Sequence, residues 1–573
     1  MAAEVGEETR SFTLGDSPKA QPRWVRPLVW TIALIGLFAF RLFFGLASDL
    51  FSEDYTQVFL LGLGYYATGV WPYFGPDVTW TSSEIPGALQ SLLVGVPFHI
   101  APVPEAPYVL LNVLSMGCLC LFAWYLCERL RDVPRWLIWG WLLTVPWTLE
   151  YSTNIINTSY VLPAGLVFFI GFFEAWPSFT LRRLSPTTAH FLMGLALGWI
   201  IQVHMSGPIL LPFVAAAFFW RRREGPRALA AAAFAFVLGV LTFGSLLLPT
   251  LWKYGLSGGS GDTARNFQWY WRSPWILLKT VARFLSFPSL EVNRFVGTDA
   301  TRVVFIEQHW PIVPLLIVVA IAGLVQPFWM AVLWFKRQSR SPGWPEIRRL
   351  AAATVVLVYV SYFFVMEFTQ ARAYYVVAPL AFTYAAYCWT FIDSPRWRRI
   401  AAATMAVNIC FQFGMAWIRL PEHSLYWNRP LVAAAISLKQ PDIFAHRRPF
   451  GRNVPVESLA ALEKATDASS DLEVVRVSWS RRSFGVSRWS IVVRNRSTQA
   501  GYRDPVYETT YLDSAGRTVG GRSDTLELVI EPGQVQEAEL VDGFVTPSAV
   551  RAQFRILKAM PLRPFVATSA GGS

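Results

Sequence analysis

Charge is scarce in this sequence: Asp, Glu, Lys and Arg make up 15% of its 573 residues, against roughly 25% in soluble domains. A soluble globular chain is thereby excluded. Cysteine is also rare, and all five residues (Cys118, Cys120, Cys127, Cys388, Cys410) fall in apolar runs. That excludes a disulfide framework and a CxxC metal site, leaving small apolar packing residues. No cluster of His, Cys and carboxylates has metal-ligand spacing, so no metal or other cofactor is expected. No small-residue cleavage site follows the apolar run at 28–47, which reads as an uncleaved membrane helix and not a signal peptide. No internal repeat is visible. The formal net charge is +12, but the basic residues sit in short clusters between apolar runs and form no stripe, which excludes nucleic acid as a partner.

What is abundant is apolar surface: 54% hydrophobic residues, 26 tryptophans and a mean hydropathy of +0.37. Segments long enough to span recur near 28–47, 107–127, 136–150, 160–176, 188–204, 207–220, 228–249, 310–335, 350–366, 374–392 and 399–419. The expected fold is a polytopic α-helical membrane protein of about eleven helices. Between them lie the basic stretches ERLRDVPR (128–135), LRRL (181–184), RRREGPR (221–227), KRQSRSPGWPEIRR (336–349) and SPRWRR (394–399), all cytoplasmic by the positive-inside rule. This holds only if PGALQSLLVGVPFHIA (86–101) does not cross. A helix of that length rises about 24 Å, short of the hydrocarbon core, and Pro97 interrupts it, so it is placed at the interface.

The stretch from 47 to 106 then becomes an outer loop without a single Lys or Arg, carrying Asp49, Glu53, Asp54, Asp77, Glu84 and Glu105. A second outer loop, 250–310, contains SPWILLKTVARFLSF, whose Lys279 and Arg283 share one helical face. A third is TLEYSTNIINTSY (148–160). After Leu420 the pattern changes. RPLVAAAISLK and VESLAALEKA read as short helices, and from Asp471 period-two strands such as LEVVRVSW, RWSIVVRN and VRAQFRIL predict a small β-sandwich in the outer compartment. The expected division is a disordered cytoplasmic segment 1–24, a membrane domain 25–420, a helical linker 421–470, a β-sandwich 471–560 and a disordered tail 561–573.

Glu53 and Asp54, adjacent acids just past the first span, are the leading chemical candidates. A carboxylate held where water meets lipid can act as general base toward a hydroxyl or amine while a lipid-borne donor docks beside it. Arg372 begins a late outer helix end beside tyrosines, and guanidinium suits phosphate. Arg41, inside the outer part of the first span, is expected to pair with Asp49 or the acid pair, or else to snorkel. Glu150, Tyr151, Asn154 and Asn157 form a polar outer turn suited to sugar hydroxyls.

The acid pair after the first helix, the GVWPYFGPDV stretch, the MGLALGWIIQVHMSGPILLP helix pair and EFTQARAYYVVAPLAF resemble, in order and spacing over roughly 25–420, the GT-C class of membrane glycosyltransferases. The likeness is to protein O-mannosyltransferases, aminoarabinose transferases and their polyprenyl-phosphate-sugar-dependent relatives. It implies two interfacial helices in the first outer loop and a sugar donor on a polyprenyl phosphate of undecaprenyl or dolichyl type. It also implies a glycan, lipid or protein acceptor, and an outer-loop carboxylate as base. The order here is Glu then Asp. Asp54 is favoured as base because Asp is the usual catalytic type, with Glu53 the alternative. Arg372, Tyr374 and His204 are expected at the donor phosphate, with Lys279, Arg283, Arg294 and Arg302 as further candidates. SSEIPG places Glu84 where relatives carry a phosphate-meeting Lys. The expected enzyme sits in a bacterial cytoplasmic membrane with its N-terminus inside. The rival reading is a transporter or lipid flippase.

Overall fold

The computed structural model describes residues 25–48, 53–77, 84–176, 183–255, 269–291, 306–336, 341–364, 371–420, 429–439, 471–481, 486–498, 500–526, 528–544 and 549–562. In chain order the helices are α1 (Val25–Ser48), α2 (Glu53–Thr68), α3 (Leu89–Ile100), α4 (Ala106–Arg129), α5 (Arg135–Thr144), α6 (Pro146–Thr153), α7 (Val161–Ala175), α8 (Pro186–Ile200) and α9 (Leu211–Arg221). They continue with α10 (Pro226–Gly244), α11 (Leu248–Tyr254), α12 (Trp275–Ser286), α13 (Val313–Trp334), α14 (Trp344–Ser361), α15 (Ala378–Ile392), α16 (Pro395–Arg419) and α17 (Arg429–Ser437).

Among the described residues eight helices are long and apolar enough to cross a membrane: Leu28–Ser48, Ala106–Arg129, Asn157–Ala175, Pro226–Tyr254, Trp310–Trp334, Trp344–Phe364, Ala371–Ile392 and Pro395–Arg419. The other three expected crossings are shorter: α5 and α6 broken at a kink, α8 and α9. The chain is a polytopic helical membrane protein with a C-terminal β region. One end of the helical part carries the arginine loops and the other the acid-lined loop; they are called here the basic and the acidic end.

Small residues bring the short helices in. Gly194 and Gly198 on α8 meet the backbone of α10, where a methyl on Gly198 would stand 2.5 Å from the Val240 carbonyl oxygen. This is the small-xxx-small approach that helices use in lipid. At the acidic end α2 and α3, of 16 and 12 residues, close on each other through Gly62 and Gly95, where a methyl on Gly95 would lie 2.5 Å from the Gly62 carbonyl. Both are too short to cross.

At the basic end the fully buried Glu174 carboxylate, closing α7, ties three segments together. It pairs with Arg129 at the end of α4, accepts from Tyr125 Oη at 2.8 Å, and accepts the backbone N–H of Arg183 at 2.5 Å and of Leu184 at 2.9 Å. Breaking a buried pair leaves an uncompensated charge, so Glu174→Gln is expected to lower stability by about 3–5 kcal/mol. A thermal-unfolding midpoint in detergent equal to the parent's would refute it.

The break between α5 and α6 follows from Pro146, which donates no hydrogen bond to the preceding turn. The freed groups are satisfied by side chains. Thr148 Oγ1 donates to the Leu142 carbonyl at 2.7 Å. Arg41, fully buried on α1, donates to the Leu143 carbonyl at 2.8 Å, the Thr148 carbonyl at 3.2 Å and Ser152 Oγ at 2.5 Å. The snorkelling alternative for Arg41 is therefore corrected, while its pairing with Asp49 or the acid pair lies outside the described residues. Arg41 does not snorkel, and the bonds it makes among the described residues go to the kink, because unsatisfied carbonyls at hydrocarbon depth cost more than burying a guanidinium that meets them.

After α12 the chain turns inward. Ser286–Glu291 runs between α5 and α13, with Phe287, Ser289 and Leu290 buried. Trp141 Nε1 donates to the Pro288 carbonyl at 2.8 Å, and the Leu290 N–H donates to Gln326 Oε1 at 2.9 Å. Gly323 lies so close to Leu290 that a methyl would stand 2.5 Å from its carbonyl. Trp141, Gly323 and Gln326 occupy the middle of their spans, so this turn enters the membrane from the acidic end. Irregular backbone at that depth requires such partners.

In the β region, β3 (Leu472–Arg481), β4 (Val486–Asn495) and β8 (Val535–Phe544) form one antiparallel sheet, ordered β3-β4-β8. A second sheet joins β5 (Gly501–Leu512), β6 (Thr518–Thr525), β7 (Val529–Ile530) and β9 (Arg551–Leu562) around β5. Alternate residues Trp489, Ile491 and Val493 of β4 face one core with Tyr507 and Tyr511 of β5, and Trp489 Nε1 donates to Tyr511 Oη at 2.9 Å. VESLAALEKA lies outside the described residues.

Candidate functional site

The acidic end gathers the loops that the sequence separates. Ser48, closing α1, donates to Asn154 Oδ1 at 3.4 Å, and the next described residue is Glu53, the first of α2. Five residue steps bound that gap to at most about 17 Å, so the acid pair starts within that distance of the end of α1. α2 also touches the 3₁₀ turn Asn157–Tyr160, which touches the 3₁₀ turn Ala371–Val377 carrying Arg372. The strands β1 (Phe74–Asp77) and β2 (Glu84–Pro86) form a small hairpin lying on the α8–α9 turn. There Gly87, at φ 113°, approaches Gln202 so closely that a methyl would stand 2.6 Å from its Oε1. Gln90 Nε2 donates to the Val203 carbonyl at 2.5 Å, Gln202 Nε2 to the Phe243 carbonyl at 2.8 Å, and Thr250 Oγ1 to the Tyr73 carbonyl at 2.7 Å. α17 returns to the same loop, pairing Arg429 with Glu105 at 2.6 Å and setting Lys439 Nζ 5.3 Å above the Tyr66 ring.

Of the residues singled out in the sequence, His204 and Arg372 come together. His204 is half-buried in the α8–α9 turn, and its Nδ1 accepts the Ser206 backbone N–H at 3.1 Å. The neutral ring therefore carries its proton on Nε2, free to donate. Burial first, and the Arg372 guanidinium second, push the His204 pKa down from 6.5 to about 4. A depressed histidine contributes stability fully present above pH 6.5 and lost as pH falls toward 4. His204→Gln is expected to lose less stability than the parent between pH 7 and 4.5. Equal losses in thermal unfolding at the two pH values would refute this.

Glu53 and Asp54 are placed in backbone only, as the first two positions of α2; their side chains, and Asp49, Arg294 and Arg302, lie outside the described residues. Glu84 sits in β2, half-buried. Tyr374 is buried, its ring 5.7 Å from Phe287 and 5.9 Å from Tyr362, within an aromatic cluster that includes Trp147 and Tyr375. Arg283 is not brought to this group: it pairs with Glu291 at 2.6 Å, and Glu291 also accepts from Trp147 Nε1 at 3.3 Å. Lys279 is exposed on α12, one turn from Arg283.

Sequence reasoning missed Gln90, Ser91, Thr158 and Ser159. All four are buried, and Gln90 Oε1, Ser91 Oγ, Thr158 Oγ1 and Ser159 Oγ, together with Asn154 Nδ2 and Gln202 Oε1, have no hydrogen-bond partner among the described residues. Buried polar atoms are normally satisfied, so these atoms, on α3, at the end of α6, in the Asn157–Tyr160 turn and in the α8–α9 turn, are suited to hydroxyl groups of a ligand. The one available signal was polarity inside otherwise apolar segments.

No protein-family model matches the chain, and no curated protein matches it. Among solved structures it is similar to ArnT from Cupriavidus metallidurans bound to undecaprenyl phosphate, at 12% identity and a TM-score of 0.43 over 73% of this chain and 79% of that one. The apo state of ArnT from the same organism gives 11% and 0.41 over the same shares. Arabinosyltransferase EmbB from Mycobacterium smegmatis gives 10% and 0.36, covering 96% of this chain and 64% of that one. All three are distant likenesses.

Proposed function

We propose that this protein is a GT-C-like glycosyltransferase that moves a sugar from a polyprenyl-phosphate donor to an acceptor at the acidic end of its membrane domain. That end faces the outside of a cytoplasmic membrane, with the arginine loops and the N-terminus inside and the β region outside. The observation that carries the reading is the approach of Arg372 to His204, with turns nearby whose buried polar atoms have no hydrogen-bond partner among the described residues and the start of α2, where Glu53 and Asp54 lie, at the same end. Arg372 and the His204 Nε2–H hold the donor phosphate. Asn154, Thr158, Ser159, Gln90 and Gln202 face the sugar hydroxyls. The α2 carboxylate takes the acceptor's proton as its oxygen or nitrogen attacks C1; the C1–O bond breaks, and polyprenyl phosphate leaves with the bonding electrons. One displacement inverts the anomeric centre. The reaction as drawn uses no metal or cofactor.

The test is transfer of labelled sugar from membrane-extracted polyprenyl-phosphate donors by purified protein. Transfer by the parent, reduced in Arg372→Gln, is the expected result. Labelling of cysteines placed at 54 and 223 from opposite sides of the membrane checks the orientation. The second reading, a transporter or flippase, draws on the Ser286–Glu291 turn, since broken backbone near mid-membrane marks transporter sites. No turnover of any donor, with lipid or solute movement in vesicles, would install that reading instead.

A further inference from the structure

A cavity of about 440 Å³ lies within the membrane-spanning part, between α5, α13, α15 and α16. Its volume is that of a small-molecule pocket, and its lining is almost wholly apolar. At the acidic end it is roofed by Pro288 and Leu290 of the inward turn. Further toward that end α16 meets the turn that leads into α13, with a methyl on Gly414 standing 2.6 Å from Ile312 Cδ1. The other end runs to Val133, Ile392 and Trp397 at the basic end. Along its flank Ile321, Val325 and Ile400 are exposed, so the cavity communicates sideways with lipid.

The rim at the basic end is positive. Val133 lies between Arg131 and Arg135, and Trp397 between Arg396 and Arg399, all four arginines exposed. The neighbouring acids are largely committed. Asp393 takes Arg398 at 2.6 Å, and Glu128 takes Arg183 at 2.7 Å, with Arg135 at 3.5 Å. Asp132 is the remaining acid of that rim. The rim at the basic end therefore offers charge-complementary groups to a chain that enters from that leaflet.

We propose that this cavity is a site for an anionic phospholipid of that leaflet, with an acyl chain between α13 and α16 and the headgroup phosphate on Arg131, Arg135, Arg396 and Arg399. Basic rims between membrane helices on the cytoplasmic side recognise anionic headgroups in this way. The site lies at the opposite end from the proposed transfer chemistry and is independent of it. Filling it joins the lipid to the helices that hold the inward turn.

The test is native mass spectrometry of delipidated full-length protein in mixed micelles, comparing phosphatidylglycerol with phosphatidylcholine of the same acyl chains. Phosphatidylglycerol is expected to be retained at least tenfold better. Each arginine removed is expected to cost about fivefold, so Arg396→Gln with Arg399→Gln costs about 25-fold. The double lysine variant keeps the preference, which separates charge from misfolding, and Ala322→Trp lowers retention of both lipids by filling the cavity. Equal retention of the two lipids by the parent, or an unchanged preference in the glutamine variant, would overturn the proposal. So would displacement of the lipid by polyprenyl phosphate with no dependence on Arg396 and Arg399, which would give the cavity to the donor's chain.

Discussion

Asp54→Asn is expected to lower sugar transfer by on the order of 10²–10⁴-fold, the contribution of a positioned general base, while donor binding stays near the parent's. The amide keeps the shape of the carboxylate and cannot take a proton. Consecutive helix positions lie about 100° apart around the axis, so Glu53 and Asp54 occupy different faces of α2, and one base serves one reaction centre. Glu53→Gln is therefore expected to retain most of the activity. The two variants, assayed side by side with labelled donor, decide between the acids: loss in Glu53→Gln alone moves the role to Glu53, and full activity in both removes the carboxylate base from the mechanism.

Arg41→Leu is expected to be among the most destabilising single substitutions in the membrane domain, by about 3–5 kcal/mol. It leaves the Leu143 carbonyl without its side-chain donor at hydrocarbon depth, where an orphaned buried group costs about 1–3 kcal/mol, leaves the Thr148 carbonyl with Ser152 Oγ as its side-chain donor, and empties the space of a fully buried side chain. Arg41→Lys rescues only part, since one ammonium does not match the forked reach that spans the three acceptors. The consequence reaches the site, because the α5–α6 kink sets the position of Asn154, which receives Ser48 at the exit of α1. Loss of yield and a lowered unfolding midpoint in Arg41→Leu are the expected pattern. An Arg41→Leu protein as stable as the parent would show that the kink does not need its cap.

The sequence determined what is counted along one dimension. Apolar run length locates the spans, because a bilayer sets how many apolar residues a helix must present. The arginine clusters and the loop from 47 to 106 without Lys or Arg fix which ends of those spans belong together. Period-two patterning after Asp471 announces the strands.

What depends on a second segment was decided only by the tertiary structure. Arg41 looked like an arginine near an interface, and only the kink at Pro146 shows what it holds. SFPSLE looked like part of a surface loop, and only Trp141, Gln326 and Gly323 supply the bonds and the space that let it enter the membrane. Arg283 looked available to a phosphate until Glu291, eight residues on, folded back onto it. His204 and Arg372 stand 168 positions apart, and nothing in either neighbourhood signals the other. Burial and hydrogen bonding are properties of pairs: a polar side chain in an apolar run tells that a partner is required, and the fold alone says which one.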